Sequence, residues 1–242
     1  MSVLMGSGGD RPPSGYVTQG RYFDGVNDYA TKAANLCADG KVLSGSLWLR
    51  QSAFATAGVI LSTHLVANLS PGFSFRFTPF SGAFNLLARD SSIRLNAAIS
   101  GVSGRTDWHN YLFSFDMADA AKRSLLLDGG GAATWTIYTN TNLDFATGLT
   151  NIGAFGDLTT RSQVNIAELW LTNSYIDFTD QANVKKFFKD GKPVNLGANG
   201  STPTGAQPLI YMPYGDPADN KGSLGNFTVT GSLDVSSTSP SD

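Results

Sequence analysis

Phenylalanine that alternates with small or polar residues places the strongest constraint on what this chain can fold into. Phe73, Phe75 and Phe77 alternate in this way in the segment GFSFRFT, and Phe113 and Phe115 do so in LFSFD. Because successive side chains of a strand point to opposite faces, each segment predicts a strand that buries one face. Short apolar segments separated by turn residues recur along the chain, so the sequence predicts an all-β sandwich of two antiparallel sheets.

The composition supports one large β-sandwich and narrows the functions open to it. The chain has 242 residues, of which 41% are hydrophobic, 11% aromatic and only 15% charged. With 17 basic and 19 acidic residues the net charge is −2, which is not the basic footprint of a nucleic-acid-binding protein. A surface of Ser, Thr, Asn and 27 glycines is common in extracellular or virion-exposed β-proteins and unusual for a metabolic enzyme.

The chain is predicted to form one domain with an extension at each end. Residues 1–20 are rich in Gly, Pro and Ser, which predicts an extended arm. A single domain is predicted over residues 21–235, followed by a polar tail over residues 236–242. The sequence shows neither signal-peptide features nor an apolar run of the roughly 20 residues that a bilayer requires, so we expect cytoplasmic synthesis without membrane insertion.

Two segments predict a helix and a hairpin turn between the strands. In DFTDQANVKKFFKDGKPV the spacing of the apolar residues predicts one short helix near residues 180–190, with Thr179 as its N-cap. The glycines of DGGG at positions 128–131 predict a hairpin turn between a leucine-rich strand and the strand that contains Trp135.

Several segments carry a family likeness. FDGVNDYAT, SGSLWLR, WHNYLFSFD, NIGAFGD and VNIAELWL resemble the laminin G-like jelly rolls of the concanavalin A-like lectin/glucanase superfamily, over about residues 21–178. The resemblance implies a jelly-roll topology, in which the first of these segments lies along the edge of the sandwich and its aromatic residues anchor it to the core.

The C-terminal part carries a second likeness. FFKDGKPVNLGANGSTPTGAQPLIYMP and the residues behind it are similar to the ending of jelly-roll proteins encoded among the structural genes of tailed bacteriophages and phage-like particles. This resemblance implies that the protein is part of a virion.

The residues argue against catalysis. Glucanases of the superfamily carry paired carboxylates on one strand, because retaining hydrolysis needs two carboxyl groups about 5 to 5.5 Å apart. The comparable strand, VNIAELWL, contains only Glu168. His64 and His109 are the only histidines, and no G-x-S-x-G segment accompanies them, so both are predicted to be structural. The protein is therefore predicted not to be an enzyme.

Two kinds of ligand site are predicted. A sugar site needs an aromatic ring to stack on a pyranose and amide groups for its hydroxyls, and TWTIYTNTN offers both. The candidate sugar-binding residues are Trp135, Tyr138, Asn140 and Asn142, with core packing as the alternative for the tryptophan. The family resemblance also implies one calcium site, for which the candidates are Asp157, Asp216 and Asp219. Asx-turns without a metal are the alternative for these acids.

These observations predict a non-enzymatic virion protein, made in the host cytoplasm and displayed on capsid, tail or fibre as a decoration or host-surface-binding jelly roll. The arm at residues 1–20 is expected to bind other virion proteins. A homo-oligomer is expected, since repeated weak sites would gain avidity for a host surface polysaccharide. A free carbohydrate-binding lectin module is the main alternative, and a glycoside hydrolase is the other.

Overall fold

The structure is a computed structural model that describes residues 16–51, 58–65, 71–78, 82–102, 104–131, 133–158 and 160–242. The first fifteen residues of the predicted arm lie outside these ranges. Within the described ranges, no helix is long and apolar enough to cross a membrane.

The described residues form seventeen strands and one α-helix. The strands are β1 Arg21–Asp24, β2 Tyr29–Lys32, β3 Val42–Gln51, β4 Gly58–Ser62, β5 Gly72–Thr78, β6 Ala83–Arg89, β7 Ile93–Ile99, β8 His109–Asp116, β9 Arg123–Leu127, β10 Thr134–Tyr138, β11 Thr150–Ile152, β12 Gln163–Thr172, β13 Phe188–Lys189, β14 Lys192–Pro193, β15 Ile210–Met212, β16 Thr228–Thr230 and β17 Asp234–Val235. The helix α1 is Gln181–Val184, and a 3-10 turn covers Pro217–Asp219.

Two antiparallel sheets make up the body of the protein. The seven-stranded sheet has the order β17-β1-β12-β3-β8-β9, and β15 pairs with β12 beyond the end of β1. The eight-stranded sheet has the order β10-β7-β6-β5-β4-β11-β2-β16. Strands β9 and β10 therefore mark one edge of the sandwich, and β16 and β17 mark the other.

The alternating phenylalanines meet between the two sheets. Phe73 and Phe75 on β5 are fully buried, as are Phe113 and Phe115 on β8 of the other sheet. The ring of Phe73 lies 6.2 Å from that of Phe113 and 6.0 Å from that of Phe115, and Phe75 lies 5.5 Å from Phe113. Tilted ring pairs at such distances contribute beyond their buried area. This confirms the prediction that β5 and β8 bury their phenylalanine faces against each other.

The prediction that each strand buries only one face is wrong for the centre of the seven-stranded sheet. Leu112 of β8 and Trp170 of β12 point away from the main core and are nevertheless fully buried. They belong to a second apolar cluster on the outer face, with members Leu112, Trp170, Ile176, Phe178, Val184, Phe187, Leu196 and Tyr211. The segment after β12, which includes α1, covers this face and accounts for its burial.

Two local predictions need correction. The helix lies within the predicted range but is only Gln181–Val184, and its N-cap is Asp180, whose carboxylate accepts the N–H of Ala182. The DGGG segment does form a tight turn, closed between Leu127 and Gly130. It does not form the predicted hairpin, because β9 pairs with β8 whereas β10 pairs with β7 in the other sheet.

The second cluster gives a prediction about stability. The ring of Phe187 lies 4.9 Å from that of Trp170 and 5.7 Å from that of Phe178, and Phe187 is almost fully buried. Phe187→Ala leaves a cavity there, so we expect a loss of about 3–5 kcal/mol in the free energy of unfolding. Denaturant unfolding measures this loss, with Tyr214→Ala on the exposed surface as the control. A loss below about 1 kcal/mol would contradict the packing described.

Candidate functional site

The two described ends of the chain bind each other on the outer face of the seven-stranded sheet. We call residues 16–20 the strap and residues 236–242 the tail. The backbone N–H of Thr18 donates to Ser241 Oγ at 3.1 Å, and the hydroxyl of Ser239 donates to the Thr18 carbonyl. The strap therefore docks on this chain's own domain, together with the tail.

A buried carboxyl group lies beneath the strap. Glu168 is 2% exposed, its backbone has a φ of 50°, and it lies in a β-bulge of β12 against β3. Tyr16 donates its hydroxyl to Glu168 Oε1 at 2.6 Å. Burial raises the pKa of Glu168 to about 8, although the hydroxyls of Tyr16 and Thr18 act in the opposite direction. The pKa of Tyr211 is also raised, by burial and by the nearby Glu168.

A cavity of about 350 Å³ opens on the same outer face beside the tail. We call it the tryptophan cavity. It lies between the end of β3, the segment before β8 and the tail, and its principal lining residues are Trp48, Arg50, Thr106, Asp107, Trp108 and Thr238.

Hydrogen bonds hold the walls of the tryptophan cavity in place. Arg50 Nε donates to the Thr106 carbonyl at 2.7 Å, and Trp108 Nε1 donates to Thr238 Oγ1 at 3.0 Å. Trp48 is 2% exposed, and its buried Nε1 has no hydrogen-bond partner among the described residues. A buried donor without an acceptor costs about 1–3 kcal/mol in the free energy of folding.

A second cavity adjoins the first through Arg50. It has a volume of about 260 Å³, and Tyr22, Asn165 and Asp234 also line it. We call it the tyrosine cavity. Asn165 Nδ2 donates to the Arg50 carbonyl at 3.2 Å, which links β12 to β3 between the two cavities. The two cavities combine aromatic rings, an amide, a guanidinium and carboxylates, the groups that organise polar ligands.

The histidines have structural surroundings. His109 Nδ1 lies 2.7 Å from Asp128 Oδ2, and Asp128 Oδ1 accepts the backbone N–H of Asn110 at 2.9 Å. This pair fastens the start of β8 to the DGGG turn. His64 is fully buried, and its ring packs edge-on against Phe155.

The structure brings together only part of the predicted sugar-binding set, Trp135, Tyr138, Asn140 and Asn142. The two aromatic rings lie on β10 and meet at 5.7 Å, half-buried against the main core. The Arg123 guanidinium lies over both rings, at 5.6 and 5.1 Å from their centroids. Asn140 accepts a hydrogen bond from Lys41 Nζ at 2.8 Å, and Asn142 is exposed. Arg123 thus occupies ring faces that a sugar would need.

The predicted calcium ligands are engaged in other interactions. Asp216 pairs with Arg21 at 2.9 Å and caps the 3-10 turn through the N–H of Ala218. Asp219 pairs with Lys221 at 2.5 Å, and Asp157 lies in a different loop, after β11. Across the described ranges, no group of three or more His, Cys, Asp or Glu side chains is placed to hold a metal ion. Asp216 and Asp219 are thus paired with cations, and calcium at Asp157, Asp216 and Asp219 stays a prediction.

The tryptophan cavity is the feature that the sequence did not reveal. Trp48 lies in the strongly apolar strand β3, and Trp108 directly precedes β8. Arg50 and Thr238 are nearly 190 positions apart in the sequence. The only sequence signal was that a second tryptophan directly precedes His109, at an exposed strand entrance.

Solved structures share this architecture, whereas no family model and no curated protein matches the sequence. The native heptameric SAP-like pentraxin from Limulus polyphemus matches with a TM-score of 0.57 and 12% identity, over 90% of this chain and 94% of that chain. A Bacteroides ovatus protein with a proposed role in carbohydrate binding matches with a TM-score of 0.62 and 10% identity, over 94% of this chain and 62% of that chain. Domains LG4-5 of the mouse laminin α1 chain match with a TM-score of 0.46 and 14% identity, over 67% of this chain and 43% of that chain.

The likenesses to the pentraxin and to the Bacteroides ovatus protein confirm the predicted fold class. The chain is a two-sheet antiparallel sandwich of the concanavalin A-like, jelly-roll kind, with one short helix. At this level of identity the likeness shows the fold alone. The more specific assignment to phage structural proteins stays a prediction.

Glu168 gives a prediction about pH. Its pKa in the folded protein, about 8, lies above the ordinary value of 4.5, so between these values the folded state holds a proton that the unfolded state has lost. Stability should therefore fall as the pH rises from 5 to 8, by on the order of 1 kcal/mol per pH unit from this group. Glu168→Gln removes this dependence and keeps an acceptor for Tyr16.

Denaturant unfolding of both proteins at pH 5 and pH 8 tests this expectation. The glutamine variant should gain stability relative to the original protein between the two pH values. Equal differences at both values would show that Glu168 is ionised in the folded protein already at pH 5.

Proposed function

We propose that this protein is a non-enzymatic structural component of a tailed bacteriophage or phage-like particle, which displays a concanavalin A-like jelly roll on the particle surface for host-surface binding. The observation that carries the proposal is the clasp of strap and tail. The strap and the tail dock together on the outer face of the seven-stranded sheet, which fixes the residues that directly follow the predicted attachment segment to the domain.

The proposal assigns attachment to the arm. Residues 1–15 directly precede the strap, and we propose that they bind other virion proteins. The opposite edge of the sandwich, formed by β9 and β10, lies away from β17 and the tail. Such an arrangement suits a homo-oligomer that repeats one weak binding site and gains affinity through effective concentration.

Glycan recognition is the binding activity that we include in the proposal. The low charge of the chain and its surface of hydroxyl and amide side chains suit saccharide hydroxyls. The fold is shared with a Bacteroides ovatus protein that has a proposed role in carbohydrate binding. We extend that activity to this chain as a proposal.

The absence of catalysis is also part of the proposal. Glu168 is the lone acid of the strand that resembles the carboxylate-bearing strand of the glucanases. It is buried and accepts a hydrogen bond from Tyr16, so its carboxyl group is not accessible to a substrate. Hydrolysis by a carboxylate pair needs two accessible groups on either side of a glycosidic bond. We therefore expect no reducing sugar to be released from polysaccharides.

Purified particles test the structural role. We expect mass spectrometry of gradient-purified particles to find the protein at a fixed copy number, and electron cryo-microscopy to show the sandwich on the particle surface. Deletion of residues 1–15 should release the protein from particles, while its unfolding midpoint shows whether it still folds. A protein that sediments apart from particles, and binds glycans when free, would instead establish the lectin alternative.

A further inference from the structure

We propose that the tryptophan cavity and the tyrosine cavity together bind a neutral oligosaccharide. This inference rests on the glycan part of the proposed function and names its site. The site differs from the predicted one, since it lies on the outer face of the seven-stranded sheet and not at β10.

Stacking and hydrogen bonding both have their partners in the tryptophan cavity. Trp108, which is half-buried, supplies an indole ring that can stack on the apolar face of a pyranose, and the buried Trp48 forms the floor of the cavity. The guanidinium of Arg50, which lines the cavity, can donate to a sugar oxygen, and the exposed carboxylate of Asp107 can accept from a hydroxyl. The volume of about 350 Å³ lies within the roughly 300–1,000 Å³ usual for small-ligand sites.

The predicted site at β10 is less suited to a sugar. There, Arg123 lies over both rings at 5.6 and 5.1 Å, so a pyranose must displace a cation from the rings before it can stack. In the tryptophan cavity, the Arg50 side chain is held against a backbone carbonyl instead.

The charges around the two cavities favour a neutral ligand. Arg50 is the one cationic side chain among the residues that line them, and the acidic ones are Asp107, Asp234 and Asp242. An anionic sugar would meet more negative than positive charge, which disfavours its binding.

The length of the site favours more than one sugar residue. Arg50 lines both cavities, so a chain that stacks in the tryptophan cavity can continue past Arg50 toward Tyr22 and Asn165. The tyrosine ring and the amide then provide a second stacking face and further hydrogen bonds. Particle attachment through residues 1–15 uses different residues, so display and binding are compatible.

A pair of matched arginine variants tests the site. The probes are neutral gluco-, galacto- and manno-oligosaccharides of two to four residues and their sialylated counterparts, on an array and then in solution by tryptophan fluorescence. We expect Arg50→Ala to weaken binding of the neutral probe about tenfold or more, because it removes charged hydrogen-bond donors from both cavities. Arg123→Ala, at the β10 site, should leave the affinity unchanged.

A second variant guards against a folding defect in Arg50→Ala. Asp107 is exposed, so Asp107→Asn should keep the fold. The substitution replaces the carboxylate that accepts from a sugar hydroxyl with a neutral amide, so it should weaken binding severalfold. The unfolding midpoint of each variant provides the folding control.

The outcomes separate this inference from the wider proposal. A change of affinity in either direction in Arg123→Ala, with none in Arg50→Ala, would place the sugar at β10, which overturns the inference and keeps glycan recognition. A preference for sialylated probes would show that the ligand is anionic, which overturns the proposal of a neutral oligosaccharide. Binding of no probe by the original protein would overturn both the cavity and glycan recognition, while particle attachment would still be decided by imaging.

Discussion

The packing of phenylalanine rings between the sheets determines the rest of this structure. Phe73 and Phe75 from β5 meet Phe113 and Phe115 from β8, so each strand can present only one set of alternate residues to the core. A shift of one residue in either strand would turn the rings outward and polar side chains inward. The side chains that reach the outer face, and therefore every surface considered for binding, follow from this register.

The outer face of the seven-stranded sheet is built on that register. Once the rings fix β8, Leu112 must point outward, and the segment after β12 covers it together with Trp170. This cover does not extend over the whole sheet. At the end of β3, Trp48 is bordered by Phe188, at a ring distance of 5.8 Å, and by the tail, and the tryptophan cavity is the space that remains. The cavity is thus a consequence of where the covering layer ends.

The sequence predicted the features that depend on local pattern and missed those that depend on which distant segments meet. Alternation sufficed to assign the buried faces of β5 and β8, since strand geometry alone decides them. The link between β9 and β10 was misjudged because DGGG specifies a turn and carries no information about which sheet the next strand joins. Trp48 is buried, as its apolar neighbours indicate, whereas the cavity beside it depends on Trp108 and the tail, which are far away in the chain.

The clasp of strap and tail connects the buried acid to the cavity. Glu168 binds Tyr16, the strap binds the tail through Thr18, and the tail binds Trp108 through Thr238. The first and last of these contacts are single hydrogen bonds, which contribute about 1 kcal/mol each, whereas strap and tail share two bonds at Thr18 and a third from the Ser236 N–H to the Gly20 carbonyl. Ionisation of the buried Glu168 costs free energy, and this cost falls on the chain of contacts that ends at the wall of the cavity.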